Sequence, residues 1–349
     1  MEYVNLGRTG VRVSRLCLGA MMFGAWGNPD HEDGIRIIHR ALDAGINFVD
    51  TADVYSRGES EEIVGKALAG RRDNVVLATK LHGTMGDDPN ESGNSRRWII
   101  RECEASLRRL GTDWIDLYQV HRWDENTDHE ETLGALTDLV REGKVRYLGS
   151  STFPSSEIVA AQWAAERHNL MRYVCEQPPY SILARGVEAD VFPTLQRYGM
   201  GAITWSPLAG GWLTGRWRKG QGAPSSTRAS RLPQRYDLSL PETQRKLDAT
   251  EQLVQLADGA NIPLIRLAIA WVLRHPAVTS AIIGPRTMEQ LESQLGSDEL
   301  ELDDALLDRV DEIVPPGTNF SFADAGFSHP ALEPARRRAG RQGVSGSAF

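Results

Sequence analysis

The fold is decided by the stretch Asn47-Phe48-Val49-Asp50-Thr51-Ala52-Asp53-Val54-Tyr55. Phe48 and Val49 predict a short strand, because adjacent apolar residues are typical of a strand that is buried on both faces. Asp50 is then expected at the C-terminal end of this strand, with Tyr55 in the loop beyond it. Ser60 and the two glutamates after it predict the capped start of a helix. The stretch is therefore a βα unit with two ionisable groups at the edge of a sheet.

Strand-like and helix-like segments alternate along the whole chain. Eight strand-like segments precede helical patterns, at residues 16–19, 47–50, 74–79, 114–120, 145–150, 173–176, 201–205 and 280–283. Eight such units favour a closed (β/α)8 TIM barrel, an α/β fold with parallel strands. A doubly wound sheet is the main alternative. It is weakened because no Gly-x-Gly-x-x-Gly motif opens any of the helices.

The chain has 349 residues, more than the roughly 250 that such a barrel needs. The excess predicts an N-terminal β-hairpin at 3–13, a long loop after the seventh barrel strand at 207–240, and two extra helices near 242–258 and 303–314. We expect one barrel domain over residues 1–330. Residues 331–349, with three consecutive arginines and a Gly/Ser-rich end, are expected to form a disordered tail.

Composition limits the classes of partner. The formal net charge of -8 argues against nucleic acid or an anionic membrane as the main partner. Three widely spaced cysteines, Cys17, Cys103 and Cys175, predict buried free thiols in a reducing compartment, and no metal-ligand spacing is present. The N-terminus lacks the pattern of a signal peptide, and no apolar run approaches the ~18 residues that span a bilayer. We therefore expect a soluble, cytoplasmic protein, whose oligomeric state the sequence does not indicate.

Polar and aromatic residues end seven of the predicted strands. They are Asp50, Lys80, His121, Ser150-Ser151-Thr152, Glu176-Gln177, Trp205-Ser206 and Gly284-Pro285-Arg286. Each of them alone has a structural explanation, such as a cap, a surface residue or a buried imidazole with a partner. In a (β/α)8 barrel, however, the C-terminal ends of the strands converge on one face, where active sites lie. Their joint placement therefore favours a functional site.

Asp50, Tyr55, Lys80 and His121 together suit the protonation of a carbonyl oxygen. A phenol has an unperturbed pKa near 10, so it needs a neighbouring ammonium group to exchange a proton at neutral pH. A neutral histidine orients a carbonyl oxygen and donates a hydrogen bond to it. With no metal-ligand pattern in the sequence, an organic hydride donor is the expected reductant. Asp53 has no assigned role, and we expect it to pack in the loop or at a helix start.

Four motifs carry a resemblance to a known family. They are residues 47–55, Ala78-Thr79-Lys80, Asp116-Leu117-Tyr118-Gln119-Val120-His121 and Trp205-Ser206-Pro207-Leu208. Over residues 3–320 the chain resembles the aldo-keto reductases, and the catalytic tetrad of that family falls on Asp50, Tyr55, Lys80 and His121. The resemblance implies NADPH-dependent reduction of an aldehyde or ketone, or the reverse reaction. Tyr55 is then the general acid, tuned by Lys80 and Asp50. His121 orients the substrate carbonyl.

The resemblance also implies a binding site for NADP(H). The matching positions are Gly19, Ala20, Asp50, Ser151, Thr152, Gln177, Trp205, Ser206, Pro207, Leu208, Gly210, Arg216, Gly284, Arg286, Gln290 and Gln294. Ser151 and Gln177 match the pair that holds the nicotinamide carboxamide. Trp205 matches the aromatic residue on which the nicotinamide ring stacks.

The phosphate contacts fall later in the chain. The segment 206–216 resembles the clamp on the pyrophosphate, and the segment 284–290 resembles the loop and helix start that bind the 2′-phosphate and ribose. An arginine next to a helix N-terminus suits a phosphate and favours NADP over NAD. The chain departs from many members of the family at three positions: Thr152 and Gln294 replace asparagines, and Trp205 replaces a tyrosine.

Two other functional classes stay open. One is an NADP(H)-binding regulatory module with little turnover, like the beta subunits of voltage-gated potassium channels, which lack a histidine at the position of His121. The other is an unrelated barrel enzyme, such as an isomerase or hydrolase. His121 favours a reductase, whose partner is a small-molecule carbonyl substrate that the sequence does not identify. The candidates for an apolar substrate pocket are Phe23, Trp26, Trp98 and Trp123.

Overall fold

The computed structural model describes residues 1–224, 229, 232–327 and 330–337. Its strands are β1 (Tyr3–Asn5), β2 (Arg12–Ser14), β3 (Leu16–Gly19), β4 (Phe48–Asp50), β5 (Val76–Leu81), β6 (Ile115–Val120), β7 (Val145–Ser151), β8 (Tyr173–Gln177), β9 (Gly201–Thr204) and β10 (Val278–Ile283). Its helices are α1 (His31–Asp43), α2 (Glu59–Leu68), α3 (Arg96–Leu110), α4 (His129–Arg141), α5 (Ser155–His168), α6 (Val191–Tyr198), α7 (Pro241–Gly259), α8 (Leu264–Arg274), α9 (Met288–Gln294), α10 (Asp304–Ile313) and α11 (Pro334–Arg337).

Strands β3 to β10 form a closed barrel of parallel strands. They are hydrogen-bonded in the order β10-β3-β4-β5-β6-β7-β8-β9, and the ring closes where β3 pairs with β10. In that pairing Leu16 lies opposite Ala281, and Leu18 opposite Ile283. The predicted (β/α)8 barrel is therefore confirmed, and the doubly wound sheet is excluded.

The apolar residues form two layers. Phe48, Ala78 and Leu117 belong to a cluster inside the barrel, and their neighbours on each strand face the surrounding helices in a larger cluster. The antiparallel hairpin β1–β2 contributes Leu6 and Val13 to the inner cluster, so it covers the barrel at the end opposite the predicted site. Burying each large aliphatic side chain contributes about 1.5–3 kcal/mol, so these layers hold the strand ends in fixed positions.

The predicted additions to the barrel are present. Helices α7 and α10 correspond to the extra helices expected near 242–258 and 303–314. Within the long loop, Trp212 stacks on Trp217 with ring centroids 4.0 Å apart, and Trp217 stacks on Tyr236. Residues 225–228, 230 and 231 of this loop lie outside the described residues.

Two local predictions are wrong. Strand β5 begins at Val76 and continues through Lys80 to Leu81, because residues 72–74 form a short 3-10 turn before it. Helix α2 begins at Glu59, and its N-cap is Gly58 (φ 93°) rather than Ser60. The reason is a tight turn at residues 55–58, which starts the helix earlier. Ser60 is fully buried instead, and its Oγ donates a hydrogen bond to the carbonyl oxygen of Ala20 (2.8 Å).

The C-terminal region is described up to residue 337. Helix α11 lies inside the segment expected to be disordered, and Arg336 forms an ion pair with Glu125 (2.7 Å). Residues 338–349 lie outside the described residues, and the domain boundary at 330 stays a prediction. Within the described part of the chain, no single helix is long and apolar enough to cross a membrane. Helices α7 and α8 reach that length and composition only as a pair, which is bent by 98°.

Candidate active site

A cavity of about 770 Å³ opens at the C-terminal ends of the barrel strands. Its wall includes Gly19 from β3, Asp50 from β4, Gln177 from β8 and Ile282 from β10. This is the face on which (β/α)8 barrels carry their sites, and the volume is in the usual range for small-molecule sites. The strand ends singled out in the sequence therefore converge on one cavity.

Lys80 and Asp50 form a buried ion pair below the cavity. Lys80 Nζ lies 2.5 Å from Asp50 Oδ2 and also donates a hydrogen bond to the carbonyl oxygen of Thr51 (2.8 Å). The other carboxylate oxygen, Asp50 Oδ1, accepts hydrogen bonds from Gln119 Nε2 (3.0 Å) and Gln177 Nε2 (2.8 Å). Both oxygens of Asp50 are thus held by donors. The carbonyl group of Thr51 and the two glutamines, from β6 and β8, fix the position of this pair.

The pair keeps Lys80 charged. Its side chain is completely buried, and burial alone lowers the pKa of a lysine. The carboxylate of Asp50, with a further contribution from Tyr55, outweighs that effect, so that the pKa of Lys80 is raised above its ordinary value. An ammonium group is therefore maintained in a low-dielectric environment near the phenol.

Tyr55 connects the buried pair to the cavity. Its hydroxyl lies 3.3 Å from Lys80 Nζ, and the ammonium lies 4.9 Å from the centre of its ring. Tyr55 opens the short 3-10 turn at residues 55–58 and is half-buried at the cavity wall. The ring of Trp26 packs against it with centroids 5.9 Å apart. The phenol therefore has the ammonium on one side and the cavity on the other.

His121 lies beside Tyr55 at the end of β6. The two rings meet edge to face, with centroids 5.8 Å apart and planes at 82°. Burial, together with the positive charges of Arg122 and Lys80, holds the pKa of His121 well below its usual range. The imidazole is therefore neutral near pH 7, and a neutral imidazole retains one N–H donor.

The ends of β7 and β8 form a second buried polar group. Ser151 Oγ donates a hydrogen bond to the carbonyl oxygen of Gln177 (3.0 Å), and Thr152 follows in the left-handed region (φ 57°). Glu176 accepts hydrogen bonds from Ser150 Oγ and from the backbone N–H of Phe153 (3.1 Å). Burial raises the pKa of Glu176 to about 7. This carboxyl group thus holds the turn that follows β7.

Beyond β9 the chain turns sharply around Trp205. Ser206 (φ 61°) and Gly210 (φ 69°) both have left-handed backbone, so the chain folds back on itself at the cavity wall. Trp205 Nε1 donates a hydrogen bond to Thr152 Oγ1 (3.4 Å). A Cβ atom at Gly326 would lie 2.6 Å from the indole ring, so only glycine fits this contact with the C-terminal segment. The indole is thereby held from both sides.

The loop after β10 contributes an arginine to the wall. Gln290 Oε1 accepts a hydrogen bond from the backbone N–H of Arg286 (2.8 Å), and Gln294 Nε2 donates one to the carbonyl oxygen of Gln290 (2.8 Å). Among the residues that the structure describes, no carboxylate lies within ion-pair distance of the Arg286 guanidinium. Glu289 is exposed on the same wall.

Most of the predicted site residues line the cavity. Those on the wall are Gly19, Asp50, Tyr55, His121, Ser151, Gln177, Trp205, Ser206, Pro207, Leu208, Gly210, Arg216, Gly284, Arg286, Gln290 and Gln294. Lys80 lies behind Asp50 and Tyr55. Ala20 is fully buried, and its backbone N–H donates a hydrogen bond to the carbonyl oxygen of Asp50. Thr152 does not line the cavity, but its Oγ1 accepts a hydrogen bond from Trp205 Nε1.

Sequence reasoning missed other wall residues. They are Met21, Met22, Val54, Arg122, Gly211, Thr214, Ile265, Ile282, Glu289 and Ser293. Arg122 could have been found, since it directly follows His121 at a strand end. Of the four aromatic candidates only Trp26 lies on the wall, because Phe23 and Trp98 are buried and Trp123 packs against Phe327.

Two further predictions concern cysteines and metal ions. Cys17, Cys103 and Cys175 are free and buried, as predicted. Within the described ranges, no group of three or more His, Cys, Asp or Glu side chains is arranged to hold a metal ion.

The closed barrel and its strand-end cavity place the chain in the class of (β/α)8-barrel proteins. The sequence model of the aldo/keto reductase family matches residues 15–315, and the chain belongs to that family. The barrel strands, within residues 16–283, and the cavity residues, within 19–294, all fall in the matched region.

Several curated proteins align with almost the whole chain. The chain is 42% identical to the uncharacterized oxidoreductase YrpG of Bacillus subtilis over 330 residues, which cover 91% of this chain and 97% of that protein. It is 37% identical to a putative voltage-gated potassium channel subunit beta of Schizosaccharomyces pombe over 320 residues, covering 88% and 92% of the two chains. A probable subunit beta of Arabidopsis thaliana is 35% identical over 321 residues, covering 90% and 97%.

Proposed function

We propose that this protein catalyses the NADPH-dependent reduction of an aldehyde or ketone to an alcohol, and the reverse reaction. One observation carries the proposal: Lys80 Nζ lies 2.5 Å from Asp50 and 3.3 Å from the hydroxyl of Tyr55, at the wall of a cavity of about 770 Å³. Membership of the aldo/keto reductase family supports it independently.

Tyr55 is the proposed general acid. The hydroxyl gives its proton to the carbonyl oxygen, and the ammonium of Lys80 stabilises the phenolate that forms in that step. Asp50 keeps Lys80 charged and in place, and two glutamines hold Asp50 in turn. A positioned general acid typically accelerates such a reaction about 10²–10⁴-fold.

His121 is the proposed orienting group. Its low pKa keeps the imidazole neutral, so one ring N–H donates a hydrogen bond to the substrate oxygen while Tyr55 supplies the proton. The edge-to-face contact of the two rings brings both donors to the same region of the cavity. The carbonyl oxygen then lies between His121 and Tyr55, where negative charge develops during the reaction.

The cavity wall suits a dinucleotide with an additional phosphate. The indole of Trp205 offers a flat apolar face for a nicotinamide ring, with Ser151 and Gln177 as polar partners for its carboxamide. Arg216 and Arg286 would contact the phosphates, because guanidinium groups pair with them in a bidentate manner. When bound, NADPH supplies the hydride that the carbonyl carbon receives. Arg286 is the residue that favours NADPH over NADH.

The first test is the variant Tyr55→Phe. We expect its kcat/KM for a panel of aldehydes and ketones to fall by about 10²–10⁴-fold, because the proton donor is lost. NADPH binding, followed by fluorescence, should be unchanged. Tyr198→Phe, on helix α6 away from the cavity, is the matched control and should keep full activity.

Three outcomes contradict parts of the proposal. Full activity of Tyr55→Phe would exclude Tyr55 as the general acid. Tight NADPH binding by the wild type without turnover of any carbonyl would support a regulatory module instead, a function that the names of the channel-subunit relatives suggest. No binding of either NADPH or NADH would favour an unrelated barrel enzyme.

A further inference from the structure

The cavity wall carries a cation that the proposed chemistry does not use. Arg122 follows His121 directly at the end of β6 and lines the same cavity as Tyr55. We propose that Arg122 selects carbonyl substrates that carry a carboxylate close to the reacting carbonyl, such as 2-oxo acids and short semialdehydes. The inference rests on the proposed function, since it names the substrate class of that same site.

The guanidinium of Arg122 is fixed on one side only. Its Nη1 atom donates hydrogen bonds to the carbonyl oxygen of His121 (2.5 Å) and to Thr152 Oγ1 (3.2 Å). Its Nε and Nη2 atoms have no hydrogen-bond acceptor among the described residues. A guanidinium is a planar fork, so fixing one nitrogen also fixes the direction of the other donors. Two donors thus remain available for one bidentate ligand.

The positive charge of Arg122 lacks a direct counter-ion. Within the part of the chain that the structure describes, no carboxylate lies within ion-pair distance of it. Glu176 is near enough to interact electrostatically, but that carboxyl group accepts its hydrogen bonds from Ser150 and Phe153. Arg122 is half-buried, and this burial is the main cause that lowers its pKa. A half-buried charge without a carboxylate at ion-pair distance is costly, so its presence at a cavity wall points to an anionic ligand.

The position of Arg122 in the barrel indicates whether the anionic group belongs to the substrate or to the cofactor. The residues proposed to hold the phosphates, Arg216 and Arg286, follow β9 and β10. Arg122 follows β6, which is separated from β10 by three strands on one side and from β9 by two strands on the other. It lies instead beside His121, where the reacting carbonyl is expected. The carboxylate therefore belongs to the substrate.

The test compares each acid with its own uncharged ester in one preparation. Pyruvate is paired with methyl pyruvate, and 4-oxobutanoate with its methyl ester, at saturating NADPH. We expect the wild type to have the higher kcat/KM for the acids. In Arg122→Met the kcat/KM for the acids should fall about 10- to 150-fold, the range for a lost hydrogen bond to a charged group, whereas the esters change less than about threefold. The acid-to-ester ratio does not depend on the folded fraction of the preparation.

Two further variants sharpen the result. Arg122→Lys retains the charge but loses the fork, so its acid-to-ester ratio should lie between those of the wild type and Arg122→Met. Arg216→Met should lower the kcat/KM of acid and ester alike and leave their ratio unchanged. An equal loss with acid and ester in Arg122→Met, or a wild type that prefers the esters, would overturn the inference. Failure of the proposed function gives a different result, because no carbonyl compound, acid or ester, is then reduced.

Discussion

Two buried ion clusters flank the loop that carries Tyr55, and only one of them reaches the cavity. The mouth pair, Lys80 and Asp50, contacts the phenol of Tyr55. The helix cluster lies between α2 and α3. There Arg109 Nε lies 2.6 Å from Glu61 and Arg109 Nη2 contacts Glu102. None of the residues of the helix cluster lines the cavity. Burial and pairing are similar in the two places, so neither property by itself marks an active site.

Asp53 shows the same contrast within one βα unit. It lies three residues after Asp50, is fully buried, and its Oδ1 accepts a hydrogen bond from the backbone N–H of Val54 (2.6 Å). Burial, with the charges of Glu61 and Glu102, holds the pKa of Asp53 well above its usual range, which favours its neutral form. Asp50 is instead paired with a cation. The difference is that Asp50 lines the cavity and its partner Lys80 contacts Tyr55, whereas Asp53 does not line the cavity.

Among these variants, Lys80→Met should have the largest effect on activity. Loss of the ammonium removes the group that stabilises the phenolate of Tyr55. We therefore expect kcat/KM to fall by about 10³-fold or more, while NADPH binding measured by fluorescence is retained. The uncompensated Asp50 should also destabilise the fold by about 3–5 kcal/mol.

The double variant Asp50→Asn with Lys80→Met separates the two effects. It removes the uncompensated carboxylate, so urea unfolding should show most of the stability restored, whereas the activity stays lost. Recovery of activity together with stability would mean that the mouth pair acts only through folding.

The variant Arg109→Met tests whether the helix cluster contributes to stability alone. It leaves Glu61 and Glu102 buried without their partner, so we expect the free energy of unfolding to fall by about 3–5 kcal/mol. The activity per folded molecule should change less than about threefold, because no residue of the helix cluster reaches the cavity. Activity and urea denaturation measured on the same preparation decide the point. A selective loss of activity at unchanged stability would contradict the separation of the two clusters.

The smallest expected effect is that of Asp53→Asn, and it depends on pH. The pKa of Asp53 is higher in the folded than in the unfolded state, so its stabilising contribution is complete below its ordinary pKa near 4 and is lost as the pH rises through the folded-state value. The free energy of unfolding of the wild type should therefore decline more steeply above pH 4 than that of Asp53→Asn. Urea titrations from pH 5 to 9 measure the two slopes. Parallel curves would show that Asp53 is ionised in the folded protein.

The convergence of Asp50, Lys80 and His121 could be predicted from the sequence because closure of a barrel brings all strand ends to one face. The helix cluster was not predicted, because its pairing depends on how α2 packs against α3 rather than on any strand end. A signal was present: Glu102 and Arg109 are seven residues apart and so share one face of α3. Arg122 follows a strand end but was missed for a different reason, since its importance comes from the partners that it lacks.

The misplaced start of α2 has a backbone origin. Ser60 resembles an N-cap by residue type, but the left-handed residues Ser56 and Arg57 turn the chain early and Gly58 becomes the cap. Glycine is acceptable at an N-cap, although it gives no side-chain hydrogen bond. Side-chain preference therefore identified the helix and its direction, while the dihedral angles of the preceding turn determined where it begins.

The closing seam of the barrel has a consequence for synthesis of the chain. Strand β3 pairs with β10 through residues such as Leu16 and Ala281, so one edge of the first barrel strand has no neighbour until the eighth has left the ribosome. At about 5–20 residues per second this interval lasts roughly 10 to 50 seconds. Gly19, at the end of that strand, pairs with Asp50 of β4, but it meets Ile282 of β10 on the cavity wall only then. The nascent protein thus has an open sheet edge, and no complete binding site, for most of its translation.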